Sequence, residues 1–313
     1  MKKQLIIGTR SSDLALWQTG YVKSEIEKYN KEVKVSTRLI NTKGDRILDV
    51  ALSKIGDKGL FTKELETELI NGNIDIAVHS LKDLETNIPK GLQLAAVTKR
   101  HDAQDVLIAK EKGATIKTLP YNAKVATGSL RRASQIKHIR PDIETIDLRG
   151  NVPTRIQKFI DSDWDAIILA GAGVERLNLS RHISSCIDKN EILPAVGQGA
   201  LGIEIRRDNG FAYEILQSIH HEETFIAVSA ERSLLKALEG GCQVPIGAYG
   251  EVKKNGLYLA ASVGSIDGTI QYKKKIRGSR KEPEKVGNKL ANDLLKAGAK
   301  EILDEIFKTV RIT

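Results

Sequence analysis

Cysteine, methionine and aromatic side chains are scarce in this chain: two Cys, one Met, two Trp, seven Tyr and five Phe among 313 residues. Two cysteines cannot staple a fold of this length, so no disulfide framework is expected, and Cys186 and Cys242 should both be reduced thiols. Aromatics at 4% leave few platforms on which bases could stack. No apolar run is long enough to cross a bilayer. The N-terminal run, Leu5-Ile6-Ile7, is also too short for a signal-peptide core, so a cytoplasmic location is expected. Metal and nucleotide patterns are missing as well. His220-His221-Glu222 lacks metalloprotease spacing, lone His79 reads as a structural histidine, no Walker loop occurs, and Gly171-Ala172-Gly173 lacks the third glycine of a dinucleotide fingerprint.

Positive charge is what the chain has in excess, 49 Lys and Arg against 40 Asp and Glu. A nucleic-acid binder would explain that balance. The densest basic run, Lys273-Lys274-Lys275 with Arg277, Arg280 and Lys281, falls on an alternating strand and its following turn, where a solvated face is the default. More informative are the basic residues at the ends of apolar strands.

The length calls for two or three domains. Gln4 to Thr9 reads as a buried strand; a helix carrying Leu14, Trp17, Tyr21 and Val22 follows, with Ser11 or Ser12 as its cap. Val33 to Leu39 alternates like a half-buried strand, Leu60 to Asn71 is an amphipathic helix stopped by Gly72, and Ile74 to Val78 is a strand running into His79-Ser80-Leu81-Lys82-Asp83. Further strands at Lys124 to Ala126, Ile143 to Leu148 and Asp165 to Leu169 each end in glycine and arginine, and Leu201 to Ile205 returns to the first sheet. This is α/β patterning, with ligands expected at strand C-termini. From about residue 218 a long helix, a loop, a hairpin around Asp267-Gly268 and helices over 284–308 read as a small α+β domain. The expected domains are 1–98 with 199–217, then 99–198, then 218–313.

The strand-end cations are Arg10, Lys82, Arg131, Arg132, Arg149, Arg155 and Arg176, joined by Lys54 and Lys58 in a Gly-rich segment. Singly each reads as surface charge. Together, where a doubly wound sheet binds its ligand, they imply a ligand with several carboxylates. Asp83 stands among them. A helix cap or loop ion pair is the bland role for such a residue; in a basic cleft it suits stabilisation of a transient cation. Cys242 follows Gly240-Gly241, the expected stop of a helix bearing Val228, Leu234 and Leu238. The C-terminal end of a helix disfavours a thiolate, so Cys242 is either a small buried thiol, a thiol activated by nearby cations, or a permanent attachment point.

These residues sit in blocks that resemble the porphobilinogen deaminase (hydroxymethylbilane synthase) family from about Ile6 to the C-terminus. The blocks are Gly8-Thr9-Arg10-Ser11-Ser12, Lys58-Gly59-Leu60-Phe61, His79-Ser80-Leu81-Lys82-Asp83 and Ser129-Leu130-Arg131-Arg132. Leu148-Arg149-Gly150-Asn151-Val152, Leu193-Pro194-Ala195-Val196-Gly197-Gln198-Gly199 and the Cys242 loop complete them, in that order. The resemblance implies two α/β domains similar to periplasmic binding proteins, a cleft between them, and a small α+β C-terminal domain. It implies head-to-tail condensation of four porphobilinogen molecules into hydroxymethylbilane with loss of four ammonia molecules, on a dipyrromethane cofactor bound covalently through Cys242. Loss of ammonia leaves an electrophilic azafulvene, and Asp83 is the implied catalytic acid. Ser80, Lys82, Asp83, Thr127, Ser129, Arg131, Arg132 and Arg149 are implied to hold the cofactor. Arg10, Ser12, Arg149, Arg155 and Arg176 would hold substrate, with Lys54 and Lys58 on a loop over the cleft. No metal, nucleic acid or membrane partner is expected, and the protein is expected to be a monomer.

The chain departs from the family pattern at Leu84-Glu85, where valine and proline are general, at Ala126, where glycine is common, and at Gly128, where serine is common. Two other classes fit part of the sequence. A silent binding protein for a carboxylate-rich ligand has no need of Cys242 on a glycine loop, and a nucleic-acid binder leaves Asp83 unexplained.

Overall fold

The computed structural model describes residues 3–46, 59–240 and 244–312, and the chain divides into two compact units. The first comprises residues 1–48, 57–101 and 199–225. Its five-stranded sheet runs in the order Val33–Leu39, Lys3–Thr9, Ile76–Ser80, Leu201–Arg206, Leu92–Val97. The first three strands are parallel, and Leu201–Arg206 lies antiparallel to both its neighbours. Because the central strands are buried on both sides, each face of the sheet covers a core. Leu5, Ile7, Ile76, Val78 and Ile203 pack with Val22 and Ile26 of the helix Asp13–Tyr29, while Ala77 packs with Leu65 and Leu69 of the helix Lys63–Ile70.

Two local expectations change here. The helix predicted from Leu60 begins at Lys63, after a turn in which Thr62 and Lys63 donate to the Gly59 carbonyl. Ser12 does take the N-cap position of Asp13–Tyr29, yet its hydroxyl makes no capping bond.

The second unit comprises residues 49–56, 102–198 and 226–313. It holds a five-stranded sheet in the order Glu144–Ile146, Lys124–Ala126, Ala166–Ala170, Asp105–Ala109, Ser185–Cys186. It also holds a three-stranded antiparallel sheet, Ile246–Lys253, Gly256–Gly264 and Gln271–Gly278. The latter packs against the helices Glu222–Ala237, Pro283–Leu294 and Lys300–Ile312 through Leu234, Leu257, Leu259, Leu290 and Leu303. Described residues thus form two α/β sheets and a small α+β layer, as the alternation of patterns predicted.

The helix before the Cys242 loop ends differently from the expected glycine stop. Glu239, with φ of 52°, takes the left-handed position. Gly240 then donates its N–H to the Leu235 carbonyl at 2.9 Å. A Cβ on Gly240 would stand 2.5 Å from Leu235 Cδ1 and 2.6 Å from Ile246 Cδ1, so this glycine serves close packing of helix against strand. Cys242 itself, like Lys54 and Lys58, lies outside the described residues.

Candidate active site

Each unit gathers part of the predicted set at its strand ends. In the first, the strand Ile76–Ser80 passes directly into a single 3-10 turn, Leu81–Asp83. Leu81 N–H donates to the Ala200 carbonyl at 3.0 Å, tying the turn to the neighbouring strand, and Leu84 N–H closes it on the Leu81 carbonyl. Gly202, opposite His79 in the sheet, makes room for this turn: a Cβ there would stand 2.7 Å from Leu81 Cδ1.

Around the turn lies a pocket of about 60 Å³ whose wall includes Arg10, Ser12, Gln18, Phe61, Ser80 and Asp83. The Arg10 guanidinium sits 4.2 Å over the Phe61 ring, a cation–π contact that orients it without neutralising it. Gln18 Nε2 donates to Ser80 Oγ at 2.7 Å. With Thr62 and His79 also in the wall, the pocket combines a guanidinium, three hydroxyls, an amide, an imidazole and a carboxylate. Such a set can take an anion at one end and a nitrogen-borne positive charge at the other. Lys82 belongs to the same turn but is not part of the pocket wall. A larger open depression along the helix Asp13–Tyr29, lined by Lys23, Glu27, Lys28 and Lys31, contains only solvated side chains and offers no comparable chemistry.

In the second unit Thr127 follows the strand Lys124–Ala126 and accepts from the Ser129 N–H at 3.3 Å through its hydroxyl. Gly128 between them comes close to the segment that follows the strand Glu144–Ile146, where a Cβ would stand 2.5 Å from the Leu148 carbonyl oxygen. Arg131 and Arg132 open the helix Leu130–Ile139 and are both buried. Neither is a bare cleft cation. Arg131 Nη1 lies 2.8 Å from Asp105 Oδ2, and Arg132 Nη2 lies 2.8 Å from Asp105 Oδ1. The main chain takes a second bond from each, at the Leu193 carbonyl for Arg131 and the Ile168 carbonyl for Arg132. Gln198 Nε2 donates to the same Asp105 oxygen at 2.9 Å.

Burial alone would raise the Asp105 carboxyl, but the two guanidiniums outweigh it and hold the group well below the usual carboxylate range. Burial pulls the Arg131 guanidinium below its ordinary value, with Asp105 opposing. Two guanidiniums against one carboxylate leave an excess positive charge, and Nε of both arginines is buried without an acceptor. Arg149 Nη2 is in the same condition, and burial lowers the Arg149 guanidinium with Asp147 opposing. Arg155 turns its Nε to the Gly150 carbonyl at 2.6 Å. Arg176 ends the short helix Gly171–Arg176 and is buried.

Three participants escaped the sequence reading. Asp105 opens an apolar strand, and a carboxylate at that position was the available signal. Gln18 and Gln198 carried no local signal, since their partners lie 62 and 93 residues away.

The family model for the porphobilinogen deaminase dipyrromethane cofactor binding domain matches residues 5–214, and that for the porphobilinogen deaminase C-terminal domain matches residues 225–296. Porphobilinogen deaminase of Chloroherpeton thalassium is 52% identical over 310 residues, covering 98% of both chains. That of Chlorobium limicola is 52% identical over 313 residues, covering 99% of this chain and all of the relative. Among solved structures, the methionine binding protein MetQ aligns with a TM-score of 0.45 at 12% identity, over 71% of this chain and 92% of that one. An amino-acid ABC transporter extracellular-binding protein of Bacillus subtilis aligns at 0.43 and 12%, over 70% and 90%.

Proposed function

The chain belongs to the porphobilinogen deaminase family, and from that premise we propose how its residues divide the work. Cys242 carries a dipyrromethane through a covalent thioether, Asp83 stabilises the positive charge of the reaction, and the arginines hold the carboxylates of cofactor and substrate. The observation that carries this division is the pocket joining Asp83 to Arg10, Ser12 and Ser80.

The residues of the second unit fit a carboxylate-bearing cofactor. Arg131 Nε, Arg132 Nε and Arg149 Nη2 are buried donors without acceptors, which is costly unless an anion completes them. With Thr127 and Ser129 beside them, and Ser80 and Lys82 from the first unit, they are the groups we assign to the dipyrromethane. When bound, that group supplies a pyrrole carbon nucleophile to which successive porphobilinogen units are joined.

Arg10 and Ser12 bind a side-chain carboxylate of incoming porphobilinogen, with Arg149, Arg155 and Arg176 assigned to the carboxylates of the lengthening product. Asp83 accepts from the pyrrole N–H and stabilises the positive charge that grows there as ammonia departs. A fixed carboxylate aimed at developing charge is a large catalytic term because it needs no reorganisation during reaction. The same reading makes the protein a cytoplasmic monomer with no metal, nucleic-acid or membrane partner, built as three domains over 1–98 with 199–217, 99–198 and 218–313. Three separate sheets support that division.

Purified protein supplied with porphobilinogen should release one ammonia per porphobilinogen consumed and accumulate hydroxymethylbilane. Tight binding of porphobilinogen without ammonia release would favour a silent binding protein instead.

A further inference from the structure

Behind the wall of the Asp83 pocket lies a polar cluster that the proposed chemistry leaves unused. His79 on Ile76–Ser80 and Glu204 on Leu201–Arg206 are diagonal neighbours on one face of the sheet, since His79 pairs with Gly202 and Ala77 with Glu204. His79 Nε2 lies 3.2 Å from Glu204 Oε2. Glu204 is fully buried, and its second oxygen, Oε1, has no hydrogen-bond partner. Glu66, from the helix packed on the same face, is buried nearby. Its carboxyl is raised by burial first and then by the charge of Glu204, with the Thr62 side chain and then His79 opposing and Glu85 adding last.

A buried carboxylate is seldom the most stable way to fill a core, even when hydrogen-bonded, because an apolar residue of similar size avoids the desolvation cost. Here that cost falls beneath the one strand whose end carries the candidate catalytic turn. His79 is both the partner of Glu204 and part of the pocket wall that includes Asp83. It is joined through the backbone to Ser80, the residue that receives the Gln18 hydrogen bond.

We propose that Glu204 is a positioning residue, whose carboxylate accepts from His79 Nε2–H and so fixes the imidazole and the strand end that present Ser80 and Asp83 to the pocket. Loss of this bond leaves the binding groups Arg10 and Ser12 on their own strand end untouched. It should therefore lower kcat and spare KM.

The inference rests on the porphobilinogen deaminase reading, and the tests separate the two. In holoenzyme with 15N-labelled histidine, long-range NMR should find His79 protonated at Nε2; an unprotonated Nε2 overturns the proposal, whatever the activity. Glu204→Gln should lower kcat per dipyrromethane-loaded molecule about tenfold, with KM for porphobilinogen changed less than about twofold. Unchanged kcat, or a raised KM alone, overturns it. A second pair guards against misfolding. His79→Gln places an amide N–H near the position of Nε2 and should keep most of the wild-type kcat, whereas the shorter His79→Asn should lose as much as Glu204→Gln. Equal kcat for the two His79 variants overturns the proposal. Wild-type protein that releases no ammonia from porphobilinogen contradicts the family reading, and the NMR result still stands or falls by itself.

Discussion

Arg132 and Asp105 meet inside the second unit at 2.8 Å, the guanidinium and the fully buried carboxylate each also bonded elsewhere. Arg131 reaches the other oxygen of the same carboxylate. One acid thus anchors two arginines in place. Their planar forks are held rigid, while one Nε–H on each remains to be used.

Removing that acid should be costly. Asp105→Asn leaves two buried guanidiniums without their counter-charge, and the expected loss is about 3–5 kcal/mol of stability. Thermal or denaturant melts of wild type and variant check the figure; a loss below about 1 kcal/mol would mean that solvent or the main-chain carbonyls already satisfy both arginines.

The same pair sets a pH dependence. The folded-state Asp105 carboxyl is held below its unfolded value of about 3.9, so its contribution to stability is fully present above that value. It is lost as pH falls below about 4 toward the depressed folded value. Denaturant melts from pH 6 to pH 3 should show wild type losing stability toward the acid end more steeply than Asp105→Asn. The two should run parallel between pH 5 and 6.

Asp83→Asn keeps the shape of the side chain and removes its charge. Turnover of porphobilinogen should fall at least about a hundredfold. The red Ehrlich reaction of the denatured protein should persist, because attachment of the cofactor is assigned to a different residue. Initial rates normalised to Ehrlich-reactive protein make the comparison.

Arg10→Gln should act on binding. Loss of one charge-assisted contact to a substrate carboxylate, worth about 1.5–3 kcal/mol, raises KM for porphobilinogen roughly ten- to hundredfold. Steady-state kinetics over a wide substrate range would show it; a lowered kcat at constant KM would move Arg10 into the chemical step.

Much of this site was legible along the chain because strand ends are. An apolar run followed by a basic or acidic residue marks both an element and its boundary, which is how Arg10, Asp83 and Arg149 came to light; Ser80 and Thr127 came only with the family resemblance. What stayed hidden was the pairing of side chains distant in sequence. Asp105 is 27 residues from Arg132 and Gln18 is 62 from Ser80, and helix register on a sheet decides such contacts. Local periodicity holds no record of it. Glu204 reads as an anomaly inside an apolar strand until His79 is placed beside it. Ser12 was legible both as the cap position and, through the family resemblance, as a site residue; it makes no capping bond and lines the pocket.

Intact mass, measured on gently purified wild-type protein and on Cys242→Ser, bears most directly on the covalent anchor. Wild type should exceed its sequence mass by two condensed pyrrole units, and Cys242→Ser should run at its sequence mass. A wild-type protein at bare sequence mass, or a variant carrying the same addition, would contradict the assignment of the dipyrromethane to Cys242.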